Sequence, residues 1–121
     1  MKRDCRKTIG HVGEKLATIY LKGKGMVILH RNWSTRLGEL DIIAKEGDTV
    51  VFVEVRTTTG TRFGYGFQSV DYRKQQKVRR LSLQYVQHHR LESNPMRFDV
   101  VSVLLHKNQE LDGIQYIRGA F

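Results

Sequence analysis

The chain has 121 residues, 40% hydrophobic and 27% charged, with 21 lysines and arginines against 12 acids and a net charge of +9. That length suits one domain with one core, and the apolar share argues against wholesale disorder. No apolar run approaches the ~20 residues of a membrane helix, and MKRDCRKTIG is followed by no apolar segment, so neither a membrane span nor a signal peptide is expected.

Residues 1–9 read as a basic, flexible tail ahead of a single domain over residues 10–121. Cys5 is the one cysteine, so no internal disulfide staples the fold and a reducing cytoplasm is the simplest setting. Over residues 10–22, Val12, Leu16, Ile19 and Tyr20 fall on one stripe at helical spacing, and Gly23 and Gly25 end the helix. MVILHRNW reads as a first strand, with Trp33 in the core, and residues 34–37 as a polar loop. The stretch GELDIIAKEGDTVVFVEVR, residues 38–56, forms two strands joined at Gly47-Asp48, a pair suited to a two-residue hairpin turn. TTTGTRFGYGFQS is a glycine- and aromatic-rich loop. A second helix runs over residues 71–89, with Asp71 as N-cap and Val78, Leu81, Tyr85 and Val86 as its apolar stripe. SNP breaks the chain, RFDVVSVLL is a fourth strand, NQELDG a turn and IQYI a short last strand. A strand, a long helix and a further strand make a crossover, so an α/β fold is expected, with a mixed central β-sheet flanked by helices.

The hairpin carries the chemistry. With the turn at Gly47-Asp48, Ala44 faces Val51, Ile42 faces Val53, Asp41 faces Glu54 and Glu39 faces Arg56. Alternation then assigns Leu40, Ile42, Ala44, Val51, Val53 and Val55 to one wholly apolar face. The other face holds Ile43, Val50 and Phe52 near the turn and the four charged residues at the far end. Opposed side chains in an antiparallel pair lie about 5 Å apart at Cβ, where like charges repel. The Asp41–Glu54 pairing therefore needs a proton, a neighbouring cation or a metal. A pair of carboxylates beside Arg56 suits Mg²⁺ and a phosphate. The plainer reading is a solvated sheet face with an ordinary Glu39–Arg56 ion pair.

At these residues the sequence resembles a known pattern. GELD, followed thirteen residues from Asp41 by EVR, is similar to the Asp…Glu-x-Lys signature of the PD-(D/E)xK nuclease superfamily. More narrowly, GEKLATIYL, RNW, VFVEVR, YRKQQKVRRL, RFDVVSV and the terminal AF together resemble the uncharacterised YraN family of small bacterial, Holliday-junction-resolvase-like proteins. The resemblance implies a restriction-endonuclease-like fold and Mg²⁺- or Mn²⁺-dependent hydrolysis of phosphodiester bonds, with DNA favoured over RNA and junctions or flaps as candidate substrates. It makes Asp41, Glu54 and Glu14 the metal ligands and Glu39 a supporting residue, either a partner for Arg56 or an outer-shell group. Arg56 stands where the superfamily has lysine. Either Arg56 supplies the charge stabilisation, or another cation such as Lys74 reaches in, or activity is weak. Resolvase-like relatives also suggest a homodimer.

The excess of positive charge points to a polyanion, nucleic acid before an anionic membrane. On the second helix, Arg73, Lys77, Arg79 and Arg80 are the candidate phosphate contacts; their alternative is a solvated surface. Phe63, Tyr65 and Phe67 can stack on bases, or anchor their loop to the core. His88 and His89 project about 100° apart on a helix and so make a poor metal pair. Asp99, in an apolar strand, reads as structural, with a basic residue of the second helix as its partner. Two other functions stay open: a nucleic-acid-binding module without catalysis, and an RNA- or ribosome-associated basic protein.

Overall fold

A computed structural model describes residues 5–60 and 70–121. The elements are α1 (Cys5–Gly23), β1 (Val27–Thr35), β2 (Gly38–Glu46), β3 (Thr49–Thr59), α2 (Tyr72–His88), β4 (Met96–Leu105) and β5 (Leu111–Ile117). The expected order of helix, three strands, helix and two strands is the order observed. The five strands form one mixed sheet in the order β1-β2-β3-β4-β5, parallel only between β3 and β4, where α2 is the crossover. The basic tail falls partly outside the described residues, and from Cys5 onward the chain is already helical. The Phe63, Tyr65 and Phe67 loop lies outside them entirely. Among the described residues no helix is long and apolar enough to cross a membrane.

Each face of the sheet carries one helix. Ala17 and Leu21 of α1 pack on Ile42, Ala44, Val51, Val53, Val101, Val103 and Leu105. Val78, Leu81, Tyr85 and Val86 of α2 pack on Ile43, Val50, Phe52 and Phe98. Burying a side chain of this size contributes about 1.5–3 kcal/mol, so both helices are held by their apolar stripes rather than by propensity. Asp71 caps α2, accepting the Lys74 backbone N–H at 2.8 Å. Trp33, expected in the core, is half-buried and packs against the edge of the α2 cluster, edge-on to Tyr85. His89 stacks on the Tyr85 ring and sets its Nδ1 3.0 Å from the Tyr85 carbonyl, so it packs against its own helix end.

Several local expectations differ from the structure. Ile19 is 57% exposed, because the buried stripe of α1 runs through Ala17 and Leu21, and residue 19 lies on the far side of the helix from 17. β1 extends to Thr35, leaving a tighter turn than the four-residue loop expected. β3 runs to Thr59, because its ladder with β4 continues as far as Thr59–Leu105. β5 starts at Leu111, which pairs with Leu105, and this shortens the expected turn. Asp99 is fully buried, but its partner is not on α2. It shares a face with Val53, the α1 face, and is held by Arg97 at 2.9 Å, by the Tyr116 hydroxyl and by the Gly119 N–H at 2.9 Å. Arg97 and Arg118 both close on Glu46, tying the hairpin to the C-terminal strands at the end remote from the charged quartet.

Candidate active site

The hairpin register is the expected one from Glu46–Thr49 to Ile42–Val53, and there the ladder stops. Beyond it β3 stays paired with β4, while β2 stays paired with β1. The two central strands therefore part at Asp41 and Glu54, and the predicted opposed pairs Asp41–Glu54 and Glu39–Arg56 do not form as ladder pairs. Side chains satisfy the freed backbone groups instead. The Asp41 carboxylate accepts the Val55 N–H at 2.9 Å, and the nearby Asp41 backbone favours the ionised Glu54 carboxylate. Leu40 is the casualty of this fork. It packs with Ile43 and Leu81 on the α2 face rather than with Ile42, since alternation slips where the ladder ends.

Around the fork four acids approach. Oxygens of Glu14, Glu39 and Asp41 all lie within 4.8 Å of one another. Glu54 is buried, 3% exposed, and its Oε1 sits 3.2 Å from the Lys74 ammonium. Glu39, expected as a partner for Arg56 or an outer-shell group, thus joins the cluster itself. Among the described residues the direct ion pair to an acid of this group comes from Lys74 and not from Arg56. Arg56 acts on Asp41 at longer range, lowering its pKa.

Two glycines set these positions. A Cβ on Gly13 would meet Thr57 of β3, with Thr57 Cγ2 at 2.8 Å and Thr57 Cβ at 2.9 Å. Only glycine lets α1 approach β3 so closely, and the next residue, Glu14, is thereby brought to the fork. Gly38 has φ +146, and a Cβ there would lie 2.5 Å from Lys77 Cε. The Lys77 stem crosses the start of β2 at that point. Asn32 completes the arrangement from β1. Its backbone has φ 52, rare for a strand residue, and its side-chain amide favours the ionised form of Glu14.

The electrostatics are those of a site short of positive charge. Burial, reinforced by the Asp41 charge, pushes the Glu54 carboxyl up to about 7 despite Lys74 beside it. Burial likewise raises Asp41, against the pull of the Val55 N–H, Lys74 and Arg56. Glu14 is raised by burial and then by Asp41, and its Oε2 is buried without a hydrogen-bond partner. An orphaned buried carboxylate oxygen facing two further carboxylates is a donor set that a hard divalent ion satisfies. Mg²⁺ and Mn²⁺ fit it by ligand chemistry.

Lys74 also lines a groove of about 790 Å³ along α2, with Leu37, Asp71, Tyr72, Arg73, Gln76, Lys77 and Arg80. Arg73, Lys77 and Arg80 of the predicted phosphate contacts therefore line one groove with Lys74, whose ammonium meets Glu54. Arg79 does not. Its guanidinium lies over the Phe98 ring at 4.7 Å and the C-terminal Phe121 ring at 5.6 Å.

Sequence reasoning missed Gly13 and Asn32. An asparagine inside an otherwise strand-forming run was the readable signal for Asn32. Gly13 stood in plain view beside Glu14, but its reason, Thr57, is remote in sequence.

Two helices on either side of a mixed five-stranded sheet, with acids gathered where the central strands fork, define an α/β domain compatible with a restriction-endonuclease-like fold. A profile of the uncharacterised protein family UPF0102 matches residues 13–103, and the chain belongs to that family, the YraN family of the resemblance. A UPF0102 protein of Caldicellulosiruptor saccharolyticus is 41% identical over 116 residues, covering 96% of this chain and 98% of the relative. Another, of Alkaliphilus oremlandii, is 46% identical over 112 residues, covering 90% and 96%. A third, of Caldanaerobacter subterraneus, is 38% identical over 122 residues and spans both chains completely.

Proposed function

We propose that this chain is a divalent-metal-dependent nuclease acting on DNA. The observation that carries this reading is the convergence of the Glu14, Glu39 and Asp41 oxygens around a buried Glu14 Oε2 without a hydrogen-bond partner, with Glu54 nearby tied to Lys74 of a cationic groove. Glu14, Glu39 and Asp41 would hold Mg²⁺ or Mn²⁺, while Glu54, outside that group of oxygens, would hold Lys74 beside it. When bound, the ion supplies Lewis acidity towards a phosphate oxygen and acidifies water. The chain's own cations do the rest. The Lys74 ammonium, already 3.2 Å from Glu54, stands where a scissile phosphate would come to rest and offsets the charge developing on it. This assigns to Lys74 the task that the superfamily's strand lysine performs, and leaves Arg56 as a longer-range contributor. Arg73, Lys77 and Arg80 bind flanking phosphates and orient the polymer.

The test is incubation of purified protein with Mg²⁺ or Mn²⁺ and a panel of junction, flap, duplex, single-stranded and RNA substrates. Cleavage that requires metal and vanishes in Asp41→Ala supports the reading. A nucleic-acid-binding module without catalysis is the second reading, favoured by the arginine at position 56. It predicts tight, salt-sensitive binding with no cleavage of any substrate under either metal.

A further inference from the structure

The groove along α2 contains something that phosphate binding does not require. Tyr72, the first residue of α2, is 74% exposed, the most exposed of the large hydrophobic side chains described, and Leu37, also in the lining, is 43% exposed. Both stand among the side chains of Arg73, Lys74, Lys77 and Arg80. Phosphates in a duplex backbone are satisfied by cations alone, and an aromatic ring left in water is an unfavourable way to fill a phosphate groove. An aromatic face interleaved with cations is instead the pattern that receives unpaired nucleotides, each base stacking on a ring while its phosphate meets a lysine or arginine. The one acid in the lining, Asp71, is occupied in capping α2 through its bond with the Lys74 N–H. The groove's volume of about 790 Å³ lies within the range of about 300–1,000 Å³ typical of ligand sites.

We infer that Tyr72 is a base-stacking platform for an unpaired nucleotide, so that this groove selects single-stranded or frayed nucleic acid. The inference rests on the nuclease reading for its purpose, since Lys74 belongs both to the groove and to the acid cluster. A base stacked on Tyr72 brings its adjoining phosphate to Lys74 and hence to the fork. Continuous duplex, whose bases are already stacked on one another, gains nothing from the ring. The chain thereby favours flaps, ends and branch points without reading a base sequence.

The experiment measures binding, not cleavage. Fluorescence anisotropy in EDTA compares a labelled single-stranded oligothymidylate with a hairpin duplex of equal length, at fixed salt, for the full chain and two variants. Tyr72→Ala should weaken single-strand binding about tenfold or more while changing duplex binding less than about twofold. Tyr72→Phe, which keeps the ring, should retain wild-type affinity, and circular dichroism confirms that both variants fold. Equal single-strand affinity for Tyr72→Ala and wild type overturns the inference, as does an equal loss on both substrates. Because no metal is present, the outcome is separable from the nuclease reading. A stacking effect without any cleavage overturns only the nuclease, and metal-dependent cleavage with a silent Tyr72→Ala overturns only the stacking platform.

Discussion

Replacing Glu54 with glutamine should make the metal-free protein more stable at pH 8. Glu54 is 3% exposed, and its carboxyl is raised from 4.5 to about 7 by burial and then by Asp41. Here the native state holds a proton more tightly than the unfolded chain, so the contribution of Glu54 to stability is most favourable below 4.5 and falls as pH rises through 7. At about 1.4 kcal/mol for each tenfold difference in proton affinity, the penalty fully present above pH 7 is roughly 3 kcal/mol. The loss of the Lys74 ion pair subtracts little, because that ammonium is 41% exposed. Glu54→Gln should therefore gain about 1–3 kcal/mol at pH 8 and match wild type to within about 0.5 kcal/mol at pH 4. Burial raises Asp41 and Glu14 as well, so Glu54→Gln retains some decline with pH. Urea denaturation followed by Trp33 fluorescence, in EDTA from pH 4 to 8, gives both curves. If Glu54→Gln were less stable than wild type at pH 8, Lys74 would be holding Glu54 comfortably ionised, and the picture of a cluster awaiting positive charge would be wrong.

The remaining predictions concern the cations and the helix approach. Lys74→Ala should lower the rate of metal-dependent cleavage by about 10²-fold or more, the usual loss for one charge-stabilising donor, while Arg56→Lys should preserve or raise it; rates under single-turnover conditions decide, and a large loss from Arg56→Lys alone would return the main role to position 56. Gly13→Ala should lower stability by about 1–2 kcal/mol, because overpacking against Thr57 outweighs the roughly 1 kcal/mol of helix propensity gained. Thermal melts check it, and an increase in Tm would show that α1 does not need its close approach to β3.

Much of the fold was legible because its signals are local. The Gly47-Asp48 turn and the alternation of Ile42, Ala44, Val51 and Val53 fixed the hairpin register, and Asp71 followed by the Val78, Leu81, Tyr85 spacing fixed α2. The acids of the candidate site could be named from the sequence, but not which of them the fold groups: Glu39, not Glu54, joins Glu14 and Asp41. Alternation assumes an unbroken ladder, and nothing near Asp41 in the sequence announces that β2 follows β1 while β3 follows β4. That fork draws Glu39 towards Glu14 and carries Leu40 to the α2 face. Arg97, by contrast, was within reach as the partner of Asp99, since residues two apart on a strand share a face. The role of Lys74 depended on a helix laid across the sheet, which no spacing within α2 reveals.

The central claim is that the acids at the fork hold a divalent ion which cleaves a phosphodiester bond. Its most direct test is cleavage of a labelled flap substrate by wild type and by Asp41→Ala, each with Mn²⁺, with Mg²⁺ and with EDTA. The account predicts metal-dependent cleavage by wild type, none by the variant, and undiminished substrate binding by both. Cleavage by Asp41→Ala at the wild-type rate, or none by wild type with either metal, would contradict it.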